Sequence, residues 1–408
     1  MSTVYFARWI LLDDGTVLAN GGLTVENDTI TSVGTRSKLK RRSGDRVVNL
    51  GEILLLPGLI NIHSHLEQAI VRDIPREPDE SFACWTAKKQ SRIRQAQPDA
   101  IKSSVRLGIL EALANGITTI VDSTRTDIPA QVLQEEPIRS WVMHEIHADD
   151  ADSEQDIELK TDRRLKGTSR KVGAGCGPYA LYSLSPAAQR ALNEYIKENR
   201  LIWASHTAES SEELQAFTEQ KGDLFFQISR KKPWPFGKTE LGSMHYAISQ
   251  NLIPNKGICY HCNYVSGQEL ALLAAKNVSI VHCPNYNRLL GHKPFPVDVA
   301  RNRGINLCIG TESAAAAAPL SLFDELHTLK QDYPHIPAAE LISWVTQNPA
   351  KALRCADRIG SLTPGKKADL IGVRFSHSPR ADLLEELLEE QPEIVFVTIN
   401  GEEIIVGC

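Results

Sequence analysis

The chain lacks any apolar stretch near the roughly eighteen residues that a membrane helix needs, and its first residues show no signal-peptide pattern. A membrane span and secretion are therefore not expected, and a cytoplasmic location is. A basic excess is missing too. Lys and Arg number 45 against 50 Asp and Glu, a net charge of −5, so nucleic acid is not an expected partner. The one basic run, Lys38-Leu39-Lys40-Arg41-Arg42, reads as a solvated loop. No disulfide framework is apparent among the eight cysteines. Cys176, Cys259, Cys262, Cys283 and Cys308 sit in apolar, strand-like surroundings, as small buried hydrophobes do under reducing conditions. Cys259 and Cys262 form a CxxC without a second pair at zinc-ribbon spacing. Strand alternation would send them to opposite faces, so they read as core. There is no internal repeat, and the only low-complexity tract is Ala314 to Ala318.

What the chain does have is His63-Ser64-His65, at the end of the apolar run from Ile53 to Ile60. Side chains alternate along a strand, so two histidines one residue apart point the same way. The run before them is apolar enough for a strand buried on both faces. Two imidazoles in such a setting either hold a divalent metal through their lone pairs or are satisfied core groups.

At 408 residues the chain suits one large barrel with a satellite, or two to three ordinary domains. Short strands and turns are expected at Val4–Leu11, Gly21–Val25, Thr29–Val33 and Arg46–Leu50, and again at Ala368–Val373, Ile394–Asn400 and Glu402–Val406. Asn400-Gly401 is a hairpin-turn signal. Between these ends, strands at 117–121, 172–175, 201–206, 258–261, 278–283 and 305–310 alternate with helices at 100–114, 186–199, 211–220, 266–276, 321–330 and 337–345. That alternation predicts an α/β fold, a (β/α)8 TIM barrel over 56–365, with 1–55 and 366–408 forming a small β-sandwich from both termini.

In such a barrel, chemistry gathers at the C-terminal ends of the strands. His63 and His65 end the first barrel strand, and His206 ends another with Glu209 three residues on. His261 ends a third, and Glu312 follows the last. Histidines and carboxylates at one end of several strands make a mononuclear metal-hydrolase constellation.

Several longer segments carry a resemblance. They are Leu56 to Glu67, Gly116-Ile117-Thr118-Thr119, His206-Thr207-Ala208-Glu209-Ser210, His261 to Ser266, Cys283-Pro284 with Asn287-Arg288-Leu289-Leu290, Gly310-Thr311-Glu312-Ser313, Leu320 to Leu326, and Gly360 to Leu370. With them the chain resembles the amidohydrolase superfamily, in particular its cytosine deaminase- and chlorohydrolase-like members. The nearest resemblance is to the branch with aminodeoxyfutalosine, S-adenosylhomocysteine and guanine deaminases. The resemblance implies one Zn²⁺ or Fe²⁺ held by His63, His65 and His206, with Glu312 where the family has an aspartate ligand. It further implies Glu209 as the proton shuttle, His261 as the group orienting the attacked centre, and a metal-activated water that displaces ammonia. Glu67, Trp85 and Arg288 match the aminodeoxyfutalosine branch as substrate-binding positions, Arg288 either as a carboxylate clamp or as an arginine that ties down a barrel loop. A small-molecule substrate and a homodimer belong to the same expectation. The His-x-Glu…Pro-Cys-x-x-Cys signature of the other zinc deaminases is absent.

Three departures bear on activity. Glu312 is one methylene longer than the family's aspartate, and the run Ala314 to Ala318 stands where a Ser-Asn pair is usual. Tyr179 takes the place of a substrate-contacting histidine, and Asn285-Tyr286-Asn287 also differs from the usual Ser-Asn. Glu312 could ligate or act as a base, or it could mark a damaged or repurposed site. The expected function is release of ammonia from an aminated purine-like nucleoside or heterocycle, with aminodeoxyfutalosine foremost. The alternatives are C–N or C–Cl hydrolysis on a triazine-like ring, or a catalytically impaired metal-binding relative. Asp122 and Glu145, near strand ends, are candidates to orient the metal ligands from behind, and His292 is a candidate lid residue. His144, His147, His245, His282, His327, His335 and His377 are assigned to structure or surface.

Overall fold

A computed structural model describes residues 2–147, 161, 165, 172–313, 320–377, 382–390 and 392–404. Eight strands lie side by side in chain order: Leu59–Ser64, Ile117–Thr124, Arg139–Ile146, Gly173–Pro178, Ile202–Thr207, Ile258–His261, Ser279–His282 and Asn306–Ile309. All neighbouring pairs are parallel. The last strand returns to the first through a parallel bridge between Glu312 and Ser64, so the sheet is a nearly closed (β/α)8 barrel.

Seven of these strands follow from the apolar pattern. The eighth, Arg139–Ile146, was not expected, because Arg139, His144 and Glu145 interrupt its apolar residues. Helices Pro98–Ala114, Pro186–Glu198, Ser211–Thr218, Gly267–Ala275, Leu322–Asp332 and Ala338–Ser343 form where expected. Ser185, Ser210, Ser266 and Ser321 cap four of them, each accepting a backbone N–H three residues on.

Alternation sorts each strand. Ile60, Ile62, Val121, Ile202, Ala204, Ile258, Tyr260 and Val281 fill the barrel, while Leu59, Ile120, Val142, Trp203, Cys259 and Ile280 pack against the outer layer. The same alternation sends His206 to the inward face of Ile202 and Ala204.

Both termini build the second sheet. Its strands are Ser2–Leu11, Val17–Glu26, Thr29–Thr35, Arg46–Asn49, Leu54–Pro57, Leu370–Arg374, Glu393–Ile399 and Glu402–Glu403. The apolar run before the histidine pair therefore divides. Leu54–Pro57 pairs with Ser2–Leu11 and Leu370–Arg374, and after Gly58 the chain enters the barrel. A Cβ at Gly58 would lie 2.0 Å from Thr118 Oγ1 and 2.7 Å from its Cβ, so only glycine fits the crossover. Gly58→Ala should destabilise the fold by about 1–3 kcal/mol through overpacking. Denaturant unfolding checks this, and Gly58→Ala in a Thr118→Ala background should recover part of the loss.

Candidate active site

His63, His65 and His206 are buried, and one ring nitrogen from each lies within 4.8 Å of the others. Their remaining polar contacts favour one tautomer for His206 and His65. His206 Nδ1 donates to the Tyr179 carbonyl at 2.7 Å, leaving Nε2 with its lone pair in the neutral ring. His65 bonds the Ser123 backbone, and His63 Nδ1 faces Ser123 Oγ at 3.4 Å. His63 Nε2 has no hydrogen-bond partner. Across the cluster His65 Nε2 faces His206 Nε2 at 3.4 Å and Glu312 Oε2 at 3.5 Å. Burial pushes His65 down to about 3, and burial together with the His65 charge brings His206 to about 4. The rings are therefore neutral, with lone pairs directed at one another and at a carboxylate. This donor set fits a divalent cation.

Glu312 is held by its own backbone. Its N–H donates to the His63 carbonyl at 3.1 Å, and its carbonyl accepts His65 N–H at 3.3 Å. Asn61 ties the same seam from behind, donating to Thr311 Oγ1 at 2.8 Å and accepting Thr311 N–H at 3.2 Å. Gly310 makes the approach possible, because a Cβ there would lie 2.7 Å from His63 Cβ.

Glu209 follows His206 on a turn fixed at several points. Glu213 accepts the N–H groups of Ala208 and Glu209, each at 3.0 Å, and Asn263 Nδ2 donates to the Glu209 carbonyl at 3.0 Å. Glu209 Oε1 lies 3.7 Å from His261 Nε2. Burial, then the neighbouring Glu312 charge, raises the Glu209 carboxyl well above its ordinary range, while burial depresses His261. Ala208, His261, Cys262 and Glu312 all adopt positive φ, at 46°, 68°, 55° and 55°. Such backbone costs about 1–3 kcal/mol per residue and gathers at functional sites.

A cavity of about 480 Å³ adjoins the cluster, within the range of small-molecule sites. Phe82, His147, Tyr179, Tyr182, Leu224 and Ile228 give it an aromatic and aliphatic wall. Tyr179 links cavity to cluster, its ring 4.7 Å from His147 in a stacked pair and 4.8 Å from His206. His147, assigned above to structure or surface, is thus a wall residue. It directly follows Arg139–Ile146, the strand the sequence hid.

The structure places the other expected substrate contacts as follows. Arg288 is half-exposed, and its guanidinium is taken by both carboxylate oxygens of Asp332 at 2.8 Å. Glu67 is buried and accepts the hydroxyls of Thr124 and Thr126 at 3.0 and 2.8 Å. Trp85 is buried with its Nε1 donating to the Ile74 carbonyl, and it does not line the cavity. His292 packs edge-on against Phe82. The run Ala314 to Ala318 lies outside the described residues. Cys259 and Cys262 are core as expected, but not on opposite faces. Positive φ at His261 and Cys262 breaks the alternation, and the two thiols hydrogen-bond.

Two further residues stand beside the cluster: Glu145, expected near it from its strand end, and Lys89, which the sequence does not single out. Glu145 Oε1 lies 3.7 Å from His206 Nδ1 and 4.0 Å from His65 Nε2. Lys89 is buried, donates to Gln68 Oε1 at 3.0 Å and sits 3.8 Å over the Trp85 ring. Its charge favours the ionised forms of Glu209 and Glu312. No helix among the described residues is long and apolar enough to cross a membrane.

Known proteins share this architecture. A 5-methylthioadenosine/S-adenosylhomocysteine deaminase from Thermoanaerobacter pseudethanolicus is 27% identical, with 95% of this chain and 90% of that protein covered. An adenosine deaminase structure from Xanthomonas campestris, with bound zinc, superposes with a TM-score of 0.85 at 21% identity, over 98% of this chain and 92% of that one. Helicobacter pylori aminofutalosine deaminase in complex with methylthio-coformycin gives 0.84 at 21% identity, over 99% and 100%. The profile of the amidohydrolase family matches residues 54–406, and this chain is a member of that family.

Proposed function

We propose that the protein is a metal-dependent aminohydrolase that releases ammonia from an aminated purine-like nucleoside, with aminodeoxyfutalosine the foremost candidate. The observation that carries this reading is the pair of bare Nε2 atoms of His65 and His206, 3.4 Å apart beside Glu312. Two lone pairs so placed repel unless a cation lies between them. The similarity to deaminases that act on adenine nucleosides gives the substrate class. The zinc in the Xanthomonas campestris structure supports Zn²⁺ over Fe²⁺.

His63, His65, His206 and Glu312 would hold the metal, which when bound supplies Lewis acidity and brings the pKa of a water towards neutral. The remaining work belongs to the chain. Glu209, its carboxyl raised well above the ordinary range by burial, is suited to take up a proton and pass it to the ring nitrogen of the base. Neutral His261 faces Glu209 and orients the amine-bearing carbon. Tyr179 and His147 give the heterocycle a flat wall to stack on.

His63→Ala should drop bound metal from one equivalent to near zero by elemental analysis. Stoichiometric metal in that variant would remove His63 from the ligand set. Ammonia release should appear with at least one member of an aminopurine-nucleoside panel, and a fully metal-loaded protein silent on all of them would refute the deaminase reading. Glu312→Asp should lower turnover by about tenfold or more by withdrawing a carboxylate whose metal distance tolerates about 0.2 Å. A several-hundredfold gain would instead show that the native site is impaired.

A further inference from the structure

Tyr286 stands in the segment Asn285-Tyr286-Asn287, and the deaminase reading gives it no task. It lies on the short helix Pro284–Leu289, which directly follows the barrel strand Ser279–His282, and only 2% of its surface is exposed. Its hydroxyl donates to Glu209 Oε1 at 3.1 Å. Its ring is 5.4 Å from that of His261. One side chain therefore touches both the shuttle and the orienting histidine.

We propose that Tyr286 is a positioning residue, which fixes the Glu209 carboxylate by occupying Oε1 and leaves Oε2 to carry the proton. The proposal rests on the aminohydrolase reading for its catalytic consequence, but not for its geometry. A glutamate has three side-chain torsions, and the Glu213 and Asn263 contacts described above hold only the Glu209 backbone. Nothing in those contacts fixes its head group. A phenol O–H bonded to an ionised or shared-proton carboxylate supplies that restraint within the barrel mouth.

The test is Tyr286→Phe, which removes one oxygen atom. Turnover should fall about ten- to a hundredfold, the loss expected for a hydrogen bond to a charged group, with KM changed less than about threefold and bound metal unchanged. In a Glu209→Gln background the same substitution should cost less than about threefold, because the group it acts through is gone. A wild-type rate for Tyr286→Phe, an equal cost in both backgrounds, or loss of metal would overturn the proposal, the last by making Tyr286 merely structural. A crystal structure of metal-loaded Tyr286→Phe gives a readout independent of any substrate. The Glu209 head group should leave its wild-type orientation, and an unmoved Glu209 sinks the proposal. A silent wild-type enzyme would instead refute the deaminase reading, and the Glu209 orientation would still judge Tyr286.

Discussion

Three backbone hydrogen bonds join the first and last barrel strands at the level of the histidine pair. Thr311 and Glu312 both donate to the His63 carbonyl, and His65 donates to the Glu312 carbonyl. The seam does two jobs together. It brings the ends of an eight-stranded sheet to one another, and it sets the Glu312 carboxylate 3.5 Å from His65 Nε2. The small surface of Gly310 and the two-way bonding of Asn61 serve this seam. Lengthening either strand or adding a side chain at the contact would alter closure and ligand geometry in one stroke.

Around that seam the protein accepts an electrostatic load. Glu145, Glu209 and Glu312 are buried beside three neutral imidazoles, and burial works against the charged form of each group whose shift is resolved. Lys89 is the chain's own counterweight, lodged under the site by Gln68 and the Trp85 face. A cation at the histidine cluster would relieve the remainder. Second contacts matter as much as ligands here, because Ser123 and the Tyr179 carbonyl choose which imidazole nitrogen is bare.

Much of this was legible in the sequence, because period and chain order carry it. Alternation aims His63 and His65 the same way, and strand ends pick out His63, His65, His206, His261 and Glu312 from the sequence alone. Four things were hidden, each for a physical reason. The strand Arg139–Ile146 lacks an apolar signature, since its far end supplies Glu145 to the cluster instead of a hydrophobe to the core. The run from Ile53 to Ile60 reads as one strand because nothing but Gly58 marks the passage between sheets. Arg288 looked like a clamp because its partner Asp332 is 44 residues away in sequence, and such pairing is set by tertiary packing. Likewise, no spacing rule could foresee that positive φ at His261 and Cys262 would turn Cys262 back towards Cys259.

The left-handed backbone at Glu312 bears on why a glutamate stands there at all. Aspartate, asparagine and histidine enter that region more readily than other residues with a Cβ, because a short polar side chain can bond locally. By conformation alone, the shorter acid would sit more comfortably at φ 55°. The glutamate is thus the less relaxed choice at this position, and its longer side chain sets the carboxylate 3.5 Å from His65 Nε2. Residue 312 is a compromise between the preference of its own backbone and the reach of its head group to the histidine cluster.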